Sequence, residues 1–224
     1  MPFSTTDTWV FDLDDTLYPA SSNFFPQIAE RMGLYVAETF DIPLVEAKKE
    51  QRRLFLEYGT TLSGLVAERG INVDEYAQFL MRVDYGRIPH SPALVEAVRR
   101  LPGRVLIFTN GFKEHAEACL DQLGFQHDDF EAIADIRTIA FKPKPRPIAF
   151  ETFFTEHSVD PHRAIFFEDS PKNLRTAKDL GMKTAHIVTD TAWGNMGLEE
   201  GDGFIDHSVL DLTDFLNDTV LKSF

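Results

Sequence analysis

Five short runs, "TWVFDL", "RVLIFTN", "AIADI", "RAIFFED" and "KTAHIVT", are rich in β-branched and aromatic residues. Segments of helical spacing separate most of them. In "SPALVEAVRRLPG", Ser91 stands where an N-cap belongs, Pro92 opens the first turn, and Leu94, Val95, Val98 and Leu101 share one face. "KEHAEACLDQLG" and "PKNLRTAKDLGM" each reach a glycine where a helix would stop. Strands that alternate with helices build a parallel sheet covered on both faces.

The predicted fold class is therefore α/β: a doubly wound parallel sheet, a Rossmann-like core whose ligands bind beyond the carboxyl ends of the strands. One region breaks the rhythm. From Tyr18 to His90 the patterns are helical, with Phe24, Ile28, Met32 and Tyr35 on one stripe and no convincing strand. Residues 18–90 are read as a helical cap inserted after the first strand, and residues 1–17 and 91–224 as the core. A chain of 224 residues with 43% hydrophobic content has material for both.

The strand ends carry the chemistry. Trp9, Val10 and Phe11 run directly into Asp12, Asp14 and Asp15, where like charges repel and desolvation is costly. "RVLIFTNG" gives Thr109 and Asn110, and "RAIFFEDS" gives Glu168 and Asp169, at a strand's end or just after it. "FKPKPRPIAF" offers Lys142 and Lys144 from a proline-stiffened loop. Any one of these alone reads as a cap or a surface turn. On one edge of one sheet they converge. Carboxylates beside a lysine suit a hard cation such as Mg²⁺, which takes oxygen ligands and shares them with a substrate phosphate. The metal offsets the repulsion and lets an anion approach.

Net charge is -14, which argues against a nucleic acid polymer as partner, because phosphate backbones are bound by basic surfaces. No apolar run approaches the ~20 residues that cross a bilayer, so no membrane is expected. "MPFSTTDT" has neither a basic region nor an apolar stretch of signal length. Cys119 is the only cysteine, and a reducing, cytoplasmic location is expected.

Asp12-Leu13-Asp14-Asp15-Thr16, then Thr109, Lys144-Pro145 and Glu168-Asp169, resemble in order and context the haloacid dehalogenase superfamily of phosphohydrolases. "DLDDTLYP", "YGTTLSGL", "LPGRVLIFTNG", "PKPRPIAF" and "FFEDSPKNLRTAKDLGMKT" resemble its pyrimidine 5′-nucleotidase branch. The resemblance spans Val10 to about Val188. It implies Asp12 as a nucleophile that forms an aspartyl-phosphate, and Asp14 as general acid and then base. It implies Thr109 and the Asn110 backbone as phosphoryl binders. Lys144 is the better match for the family's lysine, since Lys144-Pro145 precedes Phe150 by the family's spacing. Asp12, Asp169 and the backbone carbonyl of Asp14 would hold Mg²⁺, with Glu168 helping through water and Lys172 and Asn173 orienting the acidic pair. Asp15 stands where this branch often has Asn, and a structural role is expected for it.

Other classes fit less well. A receiver domain lacks the helical insertion and the later acidic pair. A dehalogenase needs no acid at Asp14. A phosphonate hydrolase needs a cap lysine, yet Lys48 and Lys49 sit in the charged run "EAKKEQRR". A phosphomutase shares the core residues, and a catalytically inactive binding protein is the alternative outside enzymes. The expected activity is Mg²⁺-dependent hydrolysis of small phosphate esters, with UMP and CMP as the expected substrates and sugar phosphates as the alternative. Tyr58, Thr60, Thr61 and Tyr85 are expected near the leaving group, and His115 and His127 are assigned no role.

Overall fold

A computed structural model describes residues 3–191 and 203–224. Met1 and Pro2, and residues 192–202 of the expected core, lie outside the described residues. Six strands form one sheet: β1 (Thr8–Phe11), β2 (Arg104–Phe108), β3 (Ala132–Ala134), β4 (Ala164–Glu168), β5 (Lys183–Ile187) and β6 (His207–Val209). Every pairing is parallel and the order is β3-β2-β1-β4-β5-β6. β1 is central, and the chain's direction of winding reverses there, between β2 and β4. Ligands of such sheets bind at that switch point.

The central strands are apolar because both faces are covered. Trp9, Val10 and Phe11 are fully buried, and Trp9 Nε1 donates to Pro102 O at 2.7 Å. Phe11 stacks on Phe167 with centroids 4.6 Å apart, and Phe108 stacks on Phe153 at 4.5 Å. Each such pair adds roughly 0.5–1.5 kcal/mol beyond the area it buries.

Between β1 and β2 there is, among the described residues, no strand, and four α-helices fall within the expected insertion: α1 (Phe25–Phe40), α2 (Leu44–Tyr58), α3 (Thr61–Arg69) and α4 (Val73–Leu80). Thr60 caps α3, its hydroxyl accepting from Ser63 N at 3.0 Å. The remaining helices are α5 (Pro92–Arg99), α6 (Lys113–Leu123), α7 (Pro147–His157), α8 (Pro171–Asp179) and α9 (Leu212–Phe215). Ser91 occupies the N-cap position of α5, but its hydroxyl makes no capping bond. Gly124 ends α6 with φ +97°, as its sequence position predicts.

The four-helix segment touches the core at two places that matter for the site. Arg137 binds Asp74 of α4 and Glu114 of α6, both at 2.9 Å, with its guanidinium over the Phe112 ring. On the other side Ser63 Oγ donates to Phe141 O at 2.9 Å, and Arg146 Nη2 donates to Tyr58 O at 3.2 Å. The Phe141–Arg146 loop, which carries Lys144, is thus held from above. Among the described residues no helix is long and apolar enough to cross a membrane.

Candidate active site

Asp12 follows β1 directly, and its N–H still donates to Phe167 O at 2.9 Å, so the strand ladder fixes where its side chain leaves the sheet. Asp15 follows with φ +56°, a left-handed conformation that Asp and Asn tolerate better than most residues. It is buried and turns the chain away from the sheet edge, which is the structural part expected of it.

The structure brings Asp12, Lys144, Glu168 and Asp169 together. Lys144 Nζ lies 2.8 Å from Asp12 Oδ1, 2.9 Å from Glu168 Oε2 and 2.7 Å from Phe108 O. All three ammonium protons are used, and the side chain is buried. Lys142 is exposed. Asn110 explains the precision of this loop: its amide donates to Lys144 O at 3.1 Å and accepts from Lys144 N at 2.9 Å. The side chain of Asn110 therefore braces Lys144, a task the sequence reading gave no sign of.

Asp12, Glu168 and Asp169 each offer an oxygen within 4.8 Å of the others. Burial, then the neighbouring Glu168 charge, pushes the Asp12 carboxyl well above the usual range, and Lys144 only partly offsets this. Burial, Glu168 and Asp12 do the same to Asp169. Burial alone would lower the Lys144 ammonium, but Asp12 and Glu168 outweigh it and raise it. One ammonium is too little charge for three buried carboxylates. An all-oxygen set short of positive charge is what a hard divalent cation fits.

Asp14 takes a different direction. Its Oδ1 accepts from Tyr18 OH at 2.6 Å and from His115 Nε2 at 2.9 Å. Burial pushes the Asp14 carboxyl up, but the His115 imidazole, the two hydrogen bonds and Lys144 outweigh that and hold it low. His115, assigned no role from the sequence, is thus part of the site. Thr109 is buried at the end of β2, and its Oγ1 accepts from Gly111 N at 2.9 Å, which leaves the hydroxyl proton to donate.

The expected leaving-group residues separate. Tyr85 reaches the site through His115, its hydroxyl 3.1 Å from Nδ1. Thr60 is occupied as a cap, Thr61 is buried, and Tyr58 meets the Lys144 loop through its backbone. Arg53 is held by Glu50, Glu57 and Glu68 and is a member of a helix-surface cluster. His127 lies outside the site, in a turn before β3.

The model of the haloacid dehalogenase-like hydrolases matches residues 6–181, the span that carries every residue just described. The chain belongs to that family. It is 27% identical over 206 residues to Phosphate metabolism protein 8 of Saccharomyces cerevisiae, covering 84% of this chain and 64% of that protein. The chain therefore spans a little under two thirds of that relative. It is 24% identical over 193 residues to the N-acetylmuramic acid 6-phosphate phosphatase of Pseudomonas aeruginosa, 80% of each chain. Among solved structures it resembles CbbY from Rhodobacter sphaeroides in complex with phosphate, with TM-score 0.63, 17% identity, and 94% and 96% of the two chains covered. At that identity the likeness concerns the fold.

Proposed function

We propose that this member of the haloacid dehalogenase-like family is a Mg²⁺-dependent phosphomonoesterase working through Asp12, with pyrimidine nucleoside 5′-monophosphates such as UMP and CMP as substrates. The observation that carries the reading is the division of labour between the two carboxylates of β1's end. Asp12 sits with Lys144 and the acidic pair, while Asp14 is held by Tyr18 and His115.

The Asp12 carboxylate attacks phosphorus, forming an O–P bond as the ester P–O bond breaks. Asp14 delivers its proton to the departing alkoxide, then takes one from the water that attacks the aspartyl-phosphate, releasing phosphate and regenerating Asp12. Thr109 Oγ1 and the backbone N–H groups beside it donate to the phosphoryl oxygens, and Lys144 balances charge in a loose transition state. Asp12, Asp169 and the Asp14 carbonyl would hold Mg²⁺, which when bound neutralises phosphoryl charge and polarises the phosphorus. A soluble, cytoplasmic enzyme with no polymer or membrane partner fits the acidic charge and single cysteine.

The named activity of the Pseudomonas relative supports a second reading, a sugar phosphate as substrate. The test is one panel: UMP, CMP, purine monophosphates, sugar phosphates and glycerol phosphates, assayed for released phosphate with Mg²⁺ and with EDTA. UMP and CMP turning over fastest, and EDTA abolishing release, is the expected result. A sugar phosphate turned over faster replaces the substrate, and no release from any ester removes the enzyme reading.

A further inference from the structure

His115 lies on the buried face of α6 and is 7% exposed, yet it is not filling space passively. Its ring stands parallel to Phe24 with centroids 5.8 Å apart, and Cys119 Sγ lies 3.6 Å from Nε2. These contacts fix the plane of the imidazole. Tyr85, from the turn that ends the helical insertion, meets Nδ1. A carboxylate oxygen only accepts, so in either protonation state of the ring Nε2 carries the hydrogen given to Asp14 Oδ1. Tyr18, from the other chain crossing between core and insertion, gives a second hydrogen bond to that same oxygen. The two donors choose one oxygen and leave the other.

Oδ2 is the oxygen left. A Cβ placed on Gly111 would lie 3.8 Å from Asp14 Oδ2 and 3.3 Å from Thr109 Oγ1, so Oδ2 faces the side of the site where Thr109 presents its hydroxyl. A carboxyl protonated on Oδ2 still accepts through Oδ1, so the alignment persists in the acid form although the two donors favour the ionised one. We infer that His115 is a positioning residue for Asp14: with Tyr18 it pins Oδ1 so that Oδ2 presents the proton to the leaving oxygen, and Tyr85 couples the seating of the insertion to that alignment. The inference rests on the acid role proposed for Asp14.

The test uses two esters on one preparation, because a ratio of kcat/KM values is independent of the fraction of protein that is folded. Glycerol 2-phosphate loses a basic alkoxide that needs a proton, whereas 2,4-dinitrophenyl phosphate loses a stable anion that does not. In Asp14→Asn the ratio of the first to the second should collapse. In His115→Ala it should fall about 10- to 100-fold, as loss of alignment at a general acid does, mostly in kcat. His115→Gln, which returns a donor near the place of Nε2, should recover most of the ratio. Tyr85→Phe should lower it several-fold. A His115→Ala ratio within twofold of wild type, beside a collapsed Asp14→Asn ratio, overturns this inference alone. An inactive wild type, or an unchanged Asp14→Asn ratio, overturns the acid assignment and this inference with it.

Discussion

Lys144 Nζ sits 2.8 Å from Asp12 Oδ1 although 132 residues separate the two, and the same nitrogen reaches Glu168 Oε2 at 2.9 Å. Its ammonium is shared between these two buried carboxylates, and removing it strands them. Deleting one partner of a buried ion pair costs about 3–5 kcal/mol. Lys144→Met, close in volume and uncharged, should therefore lose about 3 kcal/mol in urea unfolding at pH 7.5 without divalent metal. The sign with pH follows from the carboxyls. Asp12 and Asp169 already have folded-state values above their unfolded ones, so each loses stability as pH rises toward the folded value, and without Lys144 they rise further. The deficit should shrink at pH 5.5. A deficit that grows on acidification would show that the ammonium is not compensating these groups.

Asp12→Asn separates chemistry from folding. An amide cannot attack phosphorus, so turnover should fall by about 10⁴-fold or more. The folded protein, however, holds Asp12 against the repulsion of Glu168 and the cost of burial. A neutral isostere removes that strain while Lys144 keeps Glu168 and Phe108 O as partners. The metal-free variant at pH 8 should unfold at a urea midpoint equal to or above that of wild type. Retained turnover would rule out covalent catalysis through Asp12, and a large drop in midpoint would show that the Asp12–Lys144 bond outweighs the repulsion.

Divalent metal should act as a stabiliser whose strength depends on pH. Binding to the folded state alone adds about 2.7 kcal/mol at a concentration one hundred times Kd. The raised carboxyls of Asp12 and Asp169 must lose their protons to serve as ligands, so protons compete with the cation as pH falls. Thermal unfolding with and without Mg²⁺ should show a larger upward shift at pH 8 than at pH 6. In Asp169→Asn the shift should nearly vanish at both pH values. A shift independent of pH, or one that survives intact in Asp169→Asn, would remove these residues from the cation site.

The sheet was legible because its central strands are buried on both faces, so "TWVFDL", "RVLIFTN" and "RAIFFED" read as continuous apolar runs. β6 was not. Its three residues, His207, Ser208 and Val209, pair with β5 alone and have no pattern that outlives their neighbours' support. Asp12, Thr109 and Asp169 could be singled out because polar residues at strand ends break an apolar run, and Lys144 because its proline-stiffened loop matches the family's spacing. His115 could not, since it sits among Ala116, Cys119, Leu120 and Leu123 as one more residue of a buried helix face. Its partner is Asp14, 101 positions away, and no local spacing encodes that bond. The bracing of Lys144 by the Asn110 amide was hidden for the same reason: it depends on two loops meeting.

Two glycines with left-handed backbones give a controlled test of how tightly the sheet is seated. Gly103, φ +91°, precedes β2, and the next residue's N–H donates to Asp7 O at 2.8 Å, where β1 and β2 begin to pair. A Cβ on Gly103 would lie 2.3 Å from that same Asp7 oxygen, a backbone atom that cannot swing aside. Gly70 ends α3 with φ +58° and has nothing within 4 Å of its Cβ position. Gly70→Ala should lose about 1 kcal/mol, the cost of a side chain in the left-handed region. Gly103→Ala carries that cost and must also displace Asp7 or open the first β1–β2 hydrogen bond, so it should lose at least about 2–4 kcal/mol. Urea unfolding of the two variants side by side makes the comparison. If Gly103→Ala proved no worse than Gly70→Ala, the junction of β1 and β2 would have to be loose enough to yield, and the strand that delivers Asp12 would not be rigidly placed.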